Sequence, residues 1–387
     1  MSADTDINTA HRFIEPLDVL FLRGNKLFGD PGSFGESLVP PWPSAAAGAL
    51  RSQMLAHDGT DLAAFAKGQI CHPSLGTPQA PGSFALTSFM LARKSANGTV
   101  ETLHALPADL VATEKDNKRH LQSLRPQLPS HGMRSSSGFT HVPVLAEAER
   151  RKASSGLWLT HPGWQKYLRG QLPDPVHDLL TTSDCWAIDA RVGIGLNSDT
   201  GSADDGKLFT VQAVAFRPGI GFVASVRGAI LPSQGTLRLG GDGRAASSQS
   251  IALQAPEADL QAISDQGRCR IVLTTPGLFT QGWLPNGITR HDDGSHWLDL
   301  HGVRARLVCA TVPRSETISG WDIARWQPKA ALRAAPTGSV YWLDQLQTTP
   351  AALGKLAESG FWSATCEDTQ RCAEGFNRFT FAAYNFA

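Results

Sequence analysis

The chain has 387 residues, 41% of them hydrophobic, and its 35 Lys and Arg balance 35 Asp and Glu. A hydrophobic content this high at zero net charge excludes a chain that is disordered over most of its length, and the length suggests two or three domains. Neutrality also sets the chain apart from the usual free-standing nucleic-acid binder, whose domain is strongly basic. A nucleic-acid site would therefore need an uneven charge distribution or partner chains.

No stretch reaches 18 consecutive apolar residues, and the opening MSADTDINTAHRF is polar and lacks the apolar core of a signal peptide. We therefore expect no membrane association. The six cysteines show no CxxC pair and no zinc-like spacing, which is typical of reduced thiols in a cytoplasmic protein. The sequence thus predicts neither a bound metal nor a cofactor.

The first elements along the chain are a strand and a helix. His11–Arg23 is rich in Ile, Val, Leu and Phe and predicts the strand. A Gly-rich loop follows, and then SAAAGALRSQMLAH predicts a helix over 44–57 with Ser44 as its N-cap. Gly48 lies inside this helix, where a glycine usually indicates close packing against a neighbour.

Residues 60–183 have the least regular pattern, although Phe84–Ala92 resembles a strand. Within them, 114–169 carries ten Lys or Arg and four Asp or Glu, a net charge of +6. The neutral total therefore hides a charge asymmetry. The stretch is either an ordinary solvated face or part of a surface that binds an anion.

Strand signals become clearer after residue 184, and they recur after 256. Three runs rich in β-formers cover 185–197, 207–218 and 221–230, and later ones cover 269–279, 305–312, 339–344 and 374–386. Thr349 and Pro350 open a predicted helix before the last strand. The repetition suggests an α+β fold of two tandem ferredoxin-like (RRM-like, β-α-β-β-α-β) units, divided as 1–255 and 256–387.

The most suggestive loop is Gly240-Gly241-Asp242-Gly243-Arg244. Successive glycines let backbone N–H groups approach an anion, and an arginine adds a bidentate phosphate donor. The alternative is a tight hairpin turn with a surface arginine. The five residues alone leave both interpretations open.

The other constellations do not indicate catalysis. The pair Gly193 and Gly195 lacks the third glycine of a dinucleotide site, and His291–His301 is interpreted as a solvated loop. His11 or His57 could act as a base in principle, but no G-x-S-x-G elbow and no P-loop accompany them. We therefore predict no catalytic residue.

The segment ISGWDIARWQPKAALRAAPTGSVYWLD (318–344) mixes aromatic rings with cations. Trp321, Trp326, Lys329 and Arg333 offer base stacking and phosphate contact, the two requirements of a single-stranded RNA surface. Protein interfaces are also enriched in Trp and Arg. The residues alone do not separate these two uses.

Several motifs resemble one known family in their wording and order. FIEPLDVLFLR and VPPWPSAAAGALRS are followed by RVGIGLN, LRLGGDGRAA, TPGLFTQGWLP and ISGWDIARWQPKAALRAAPTGSVYW. This series resembles the third subunit of the type III-B CRISPR RNA-silencing (Cmr) complex, a family of the RAMP superfamily. The resemblance touches 12–55, 185–250 and 270–344, whereas 60–183 matches weakly.

The resemblance implies two ferredoxin-like units, with about 60–183 forming a large irregular insertion in the first. It implies a non-catalytic subunit for antiviral defence that binds the 5′ tag of the CRISPR RNA and docks the large HD–Palm subunit. Neighbouring backbone RAMP subunits would be further partners, and they would cut target RNA. This chain would meet the target RNA only indirectly.

From the residues and the resemblance together we derive a candidate site. A helix N-terminus and glycine amides attract phosphate, so RNA contacts are expected on the first helix, in the GGDGR loop and in the segment HGMRSSSGFTH. The predicted RNA-binding residues are Ser44, Arg51, Arg134, His141, Gly240, Gly241, Gly243, Arg244 and Lys329. The predicted partner-interface residues are Trp283, Trp321 and Trp326.

Three alternatives remain. The chain could be a RAMP-type CRISPR precursor-RNA endonuclease, which would need a competent His or Tyr base. It could be a purely structural bridging subunit with no RNA contact, which its neutral charge would suit. It could also be the equivalent subunit of the type III-A complex.

Overall fold

The computed structural model describes residues 9–22, 24, 34–129, 138–147, 151–197, 199–322, 325 and 327–384. In 34–35 and 204–206 only the backbone is described. The fold combines α and β structure, with mostly antiparallel strands and few helices, as the α+β prediction expects. No helix in the described parts of the chain is both long and apolar enough to span a membrane.

The strands in chain order are β1 (Ala10–Pro16), β2 (Phe34–Gly35), β3 (Ala85–Lys94), β4 (Val100–Ala105), β5 (Leu110–Lys115), β6 (Lys118–Ser123), β7 (Arg125–Gln127), β8 (Val142–Val144), β9 (Leu157–Leu159), β10 (Leu179–Thr181), β11 (Trp186–Leu196), β12 (Ala203–Phe216), β13 (Ile220–Arg227), β14 (Gln234–Arg238), β15 (Ala245–Ser250), β16 (Cys269–Leu273), β17 (Ile288–Arg290), β18 (His296–Leu300), β19 (Val303–Thr311), β20 (Glu316–Ile318), β21 (Trp321–Asp322), β22 (Gln327–Pro328), β23 (Leu332–Ala334), β24 (Val340–Gln347) and β25 (Phe379–Ala383). The helices are α1 (Pro43–His57), α2 (Leu62–Ala66), α3 (His161–Leu168), α4 (Thr182–Cys185), α5 (Leu260–Gln266), α6 (Pro350–Ser359) and α7 (Thr369–Ala373).

The chain divides into two compact units, each built from three separate stretches. Unit 1 comprises Met1–Val100, Thr182–Leu253 and Ile318–Ala331, and unit 2 comprises Glu101–Thr181, Gln254–Thr317 and Leu332–Ala387. The division at residue 255 and the insertion at 60–183, both drawn from the sequence, stay predictions.

The main sheet of unit 1 has the order β14–β15–β1–β13–β3, and all four neighbouring pairs for which a register is defined run antiparallel. Helix α1 contacts β14 and β3. It buries Ala46, Ala47, Leu50 and Met54, and this apolar face holds it to the sheet. A smaller sheet, β11–β12–β2, belongs to the same unit.

The main sheet of unit 2 has the order β17–β18–β19–β24–β16–β25. Central strand β16 is buried along its whole length, and its side chains join a core that includes Leu353 and Leu356 of α6. A second cluster places Trp164, Tyr167 and Leu168 of α3 against Val272 and Trp342 of the sheet. Residues 101–181 thereby pack into the core of unit 2.

Helix α6 confirms the prediction for its segment. The Thr349 side-chain oxygen accepts a hydrogen bond from the Ala352 amide at 3.2 Å, and Pro350 is the first helical residue. Proline suits that position because its missing N–H would have no partner there. Residues 340–344 of the predicted segment 339–344 likewise form the first part of β24.

The prediction that Ser44 caps α1 is wrong. The helix begins at Pro43, and Trp42 occupies the cap position without a side-chain cap bond. Proline fixes its own φ near the helical value, so it starts the helix one residue before the serine. The expectation of close packing at Gly48 is also wrong, because Gly48 is exposed and an added Cβ would meet no atom within 4 Å.

Three predicted strands are too long. β1 ends at Pro16, and β16 ends at Leu273, three residues before Pro276. Proline cannot donate to a strand ladder, which limits both elements. The C-terminal segment forms helix α7 and a turn before β25, rather than one continuous strand from Glu374.

Candidate nucleic-acid interface

Unit 2 contains an open cleft of about 530 Å³. His141 and Trp283, two residues selected from the sequence for different roles, both line it. The other lining residues are Phe139, Val142, Pro143, Gly282, Ala310, Val312, Pro313, Ser315, Arg333, Ala334 and Ala335. The lining is therefore mainly apolar, with few polar groups, which is the usual composition of a ligand site.

Two aromatic rings form one wall of the cleft. The rings of Phe139 and Trp283 meet edge to face, with centroids 5.8 Å apart, and Trp283 remains 40% exposed. The Tyr341 hydroxyl donates a hydrogen bond to the Trp283 carbonyl at 2.6 Å. Burial raises the pKa of Tyr341, so the phenol stays protonated as that donor. The tryptophan backbone is thus held in place while its ring faces the cleft.

Phe139 also packs against His296, with ring centroids 5.0 Å apart. Burial, followed by the charge of Arg290, lowers the pKa of His296, which favours the neutral imidazole. A neutral ring packs against phenylalanine without a desolvated charge. Phe139 is therefore held by contacts with two rings, those of Trp283 and His296.

The polar groups of the cleft can serve phosphate and base edges. Arg333 is exposed on β23, and its guanidinium is a bidentate phosphate donor. The Nδ1 atom of His141 lies 2.9 Å from the Thr140 hydroxyl. An apolar slot with an exposed tryptophan and an arginine combines the two contacts that hold an unstacked nucleotide.

The GGDGR loop is the turn of the β14–β15 hairpin in unit 1. The Gly241 amide donates to the Phe21 carbonyl at 2.8 Å, and Gly240 has a φ of +84°. An added Cβ at Gly240 would lie 2.6 Å from that same carbonyl, so only glycine fits there. The turn is therefore fastened to the chain at Phe21.

Arg244 follows this turn and is held by two contacts. Its Nη1 lies 2.8 Å from an Asp18 carboxylate oxygen, and the guanidinium carbon lies 5.1 Å above the Phe21 ring. The arginine side chain is 29% exposed. The hairpin interpretation is correct for the backbone, and Arg244 presents an oriented cation at the surface of unit 1.

The remaining predicted residues of unit 1 lie on α1 and in the segment 318–331. Ser44 and Arg51 are separated by seven helical residues, or about 10.5 Å along the axis, and the Arg51 guanidinium lies 4.9 Å from the Phe84 ring centre. Trp321 on β21 is 50% exposed. The Lys329 amide donates to the Gly320 carbonyl at 2.9 Å, directly beyond the Trp321–Pro328 pair of β21 and β22.

Comparison with known families identifies the chain. The family described as CRISPR-associated protein (Cas_Cmr3) matches residues 12–380. The chain belongs to the Cas_Cmr3 family. This confirms the resemblance recognised in the sequence.

Comparisons with solved structures and with curated sequences give less information than the family match. Two matched chains come from cryo-EM structures of the Type III-B Cmr-beta bound to cognate target RNA, one of them also with AMPPnP in state 1. The first is 13% identical to this chain, and the match covers 86% of this chain and 86% of its own. The second, with AMPPnP, is 14% identical, and the match covers 89% of this chain and 88% of its own. Both have a TM-score of 0.43. No curated protein matches the chain.

In this Cas_Cmr3 member, the predicted site residues fall into three sets. His141 and Trp283 share the cleft of unit 2, whereas Ser44, Arg51, Gly240, Gly241, Gly243, Arg244, Trp321 and Lys329 belong to unit 1. Arg134 and Trp326 lie outside the described residues. Sequence reasoning omitted Phe139 from the site, although it lies within the segment HGMRSSSGFTH that suggested His141.

Proposed function

We propose that this Cas_Cmr3 protein is a non-catalytic subunit of a cytoplasmic type III-B CRISPR effector complex. In this proposal it binds the 5′ tag of the CRISPR RNA and docks the large HD–Palm subunit, beside neighbouring backbone RAMP subunits. The observation that carries the proposal is the cleft of unit 2, in which Trp283, His141 and Arg333 line one slot. Family membership supports the same assignment.

The proposal includes the ferredoxin-like fold in both units. The orders β15–β1–β13–β3 and β25–β16–β24–β19 are antiparallel throughout, and both correspond to order 4-1-3-2 in a β-α-β-β-α-β unit. Helix α1 takes the first helical position in unit 1, and α6 takes the second in unit 2. We retain the division at residue 255 as part of this proposal.

One base of the tag would enter the cleft and lie against Trp283. Stacking of a base on an aromatic ring contributes about 1–3 kcal/mol. Arg333 would bind the adjoining phosphate from the exposed end of the slot. Phosphate contacts do not distinguish sequences, so discrimination would fall to the His141 imidazole and the Ser315 hydroxyl at the base edge.

The residues of unit 1 would supply a second set of contacts. Arg244 offers an oriented cation, and Arg51 offers another on α1. Trp321 presents an exposed ring, which suits either a protein partner or a base. We assign Trp321 to docking of the HD–Palm subunit and Lys329 to RNA.

The test is assembly of the purified chain with the HD–Palm subunit and CRISPR RNA that either carries or lacks the 5′ tag. We expect Trp283→Ala to reduce the preference for tagged RNA by about 5- to 150-fold, since a lost stacking contact costs about 1–3 kcal/mol. Trp297→Ala is the matched control, because Trp297 is a half-buried tryptophan of the same unit outside the cleft. Equal preference in wild type and Trp283→Ala would reject the cleft as the tag site, and cleavage of RNA by the chain alone would reject a non-catalytic role.

A further inference from the structure

The hairpin of β11 and β12 carries an apolar stripe that faces solvent. Val192, Ile194 and Leu196 on β11 are 69%, 48% and 63% exposed, and Ile188 is 46% exposed. Leu208 on β12, which pairs with Ile194, is 56% exposed. Side chains alternate along a strand and paired residues share a face, so these five lie together on one side of the hairpin.

The opposite face of the hairpin is covered by its own side chains. An added Cβ at Gly193 would overlap the Phe209 ring, and one at Gly195 would overlap the Lys207 side chain. These two glycines therefore allow Phe209 and Lys207 to lie flat across β11. This packing, rather than a nucleotide site, accounts for the sequence Gly193-Ile194-Gly195, and it leaves the stripe as the uncovered face.

The base of the hairpin is anchored within unit 1. Ala213 is buried with Val19 and Phe21, and Val211 and Ala215 pack against the same cluster. Leu20 also forms a bridge with Val214. These contacts fix the base of the hairpin within unit 1, and the stripe therefore belongs to the folded structure of this unit.

The chemistry of the stripe does not suit RNA. The other residues on this face of the hairpin are Ala190, Thr210, Gln212 and the buried Val214, so the face has neither a cation for phosphate nor an aromatic ring for a base. The hairpin Trp186–Phe216 contains four aspartates against one arginine and one lysine, a net charge of −2. One of them, the exposed Asp199, lies in the turn between the two strands, and the net negative charge of the hairpin would repel a phosphate backbone.

The edge of the hairpin is also open. In the described residues β11 pairs with β12 alone, over a length of 11 residues. A long exposed edge strand with an apolar face favours association, and natural proteins usually cover or charge such an edge. Contiguous exposed apolar patches of this kind mark protein–protein contacts.

We propose that this stripe docks a neighbouring protein subunit through an apolar groove with a basic rim. The groove would cover Val192, Ile194 and Leu208, and basic residues on its rim would complement the net negative charge of the hairpin. The choice of a subunit of the same effector complex as partner rests on the proposed function. The RNA sites of that function lie on other residues.

The test compares a stripe variant with a matched control. Val192→Thr/Ile194→Thr/Leu208→Thr removes apolar surface, and threonine keeps a high strand propensity. Leu17→Thr/Ile230→Thr is the control, because both residues are exposed apolar side chains of unit 1 outside the hairpin. Each chain is titrated into the other protein subunits of the cognate type III-B complex, purified separately, and crosslinking of CRISPR RNA and sedimentation of the chain alone are measured in parallel. Circular dichroism verifies that each variant is folded.

We expect the stripe variant to bind the subunits at least about tenfold more weakly than wild type, with the control unaffected. Asp199→Lys should weaken binding in the same way, more strongly at low salt. Crosslinking of CRISPR RNA should not change. If wild type binds the subunits without any RNA crosslink, the proposed RNA function fails while this docking surface stands.

Three results would overturn the inference. The stripe variant could assemble as tightly as wild type, which would leave the stripe without a role in docking. It could assemble normally but lose its RNA crosslinks, which would assign the stripe to RNA. Finally, wild type could form dimers that the variant does not form while neither binds the subunits, which would assign the stripe to a second copy of the chain.

Discussion

The Arg270 guanidinium and the Asp109 carboxylate form an ion pair at 2.6 Å, and both side chains are completely buried in unit 2. Arg270 lies on β16, whereas Asp109 belongs to the segment 101–181. The Tyr167 hydroxyl donates to the second Asp109 oxygen at 2.8 Å, and Arg270 also donates to the carbonyls of Tyr167 and Ala383. Each guanidinium nitrogen of Arg270 and each carboxylate oxygen of Asp109 therefore has a hydrogen-bond partner, and the pair ties 101–181 to the central strand of unit 2.

Breaking this pair should destabilise unit 2 severely. Arg270→Met leaves the Asp109 charge buried without its partner, so the free energy of unfolding should fall by about 3–5 kcal/mol. Tyr167→Phe removes one hydrogen bond to that carboxylate and should cost about 1–3 kcal/mol. Chemical denaturation followed by tryptophan fluorescence measures both. A loss below 1 kcal/mol for Arg270→Met would contradict the buried-pair interpretation.

Gly48 and Gly163 should respond oppositely to alanine. Gly48 is exposed inside α1 with open space around it, so Gly48→Ala should stabilise the chain by about 1 kcal/mol. An added Cβ at Gly163 in α3 would lie 2.8 Å from Asp178, so Gly163→Ala should destabilise it. Thermal denaturation of both variants tests the contrast. A lower melting temperature for Gly48→Ala would show that α1 has a close neighbour at this point.

His104 should make stability depend on pH in acid. Burial, followed by the nearby His161, lowers the pKa of His104 to about 3, and its ring stacks on Trp164 with centroids 4.1 Å apart. Above pH about 6.5 both the folded and unfolded chains hold this imidazole neutral. Between pH about 6.5 and 3 only the unfolded chain binds the proton, so stability falls as pH falls, by up to about 1.4 kcal/mol per pH unit.

The matched variant is His104→Gln, which keeps a partner for the Thr102 hydroxyl that lies 2.9 Å from His104 Nε2. Between pH about 4.5 and 6, the slope of unfolding free energy against pH should be smaller than in wild type. The decrease should approach about 1.4 kcal/mol per pH unit, which corresponds to one bound proton. Equal slopes in the two proteins would mean that His104 is protonated in the folded state.

Arg244 and Asp18 provide a matched pair for RNA binding. Arg244→Ala should weaken binding of CRISPR RNA and reduce the slope of log affinity against log salt by about one. Asp18→Asn removes the carboxylate beside Arg244 and should strengthen binding instead. Both residues lie at the surface, so stability should change little. Filter binding across a salt series measures the effect, and unchanged affinity in both variants would remove Arg244 from the RNA site.

Local elements could be predicted from the sequence where local chemistry decides them. Thr349 and Pro350 specify the start of α6 regardless of the rest of the chain. At α1 two starting signals compete, and Pro43 prevails over Ser44 because its fixed φ is already helical.

The cleft could not be predicted in the same way. Its walls come from four stretches, 139–143, 282–283, 310–315 and 333–335, which only tertiary packing brings together. The sequence therefore yielded His141 and Trp283 as separate candidates with different roles. The exposed stripe of β11 and β12 could not be predicted for a related reason. An alternating strand pattern does not reveal whether its apolar face is covered.

The most direct measurement is crosslink mapping of a CRISPR RNA with 4-thiouridine in its 5′ tag, inside the complex assembled with the HD–Palm subunit. The account predicts crosslinks from the tag to peptides that contain 139–143 or Trp283, with additional ones at 240–244. Trp283→Ala should abolish the first set and leave the second. Stable assembly without any crosslink from the tag to this chain would contradict the account and make the protein a bridge between other subunits.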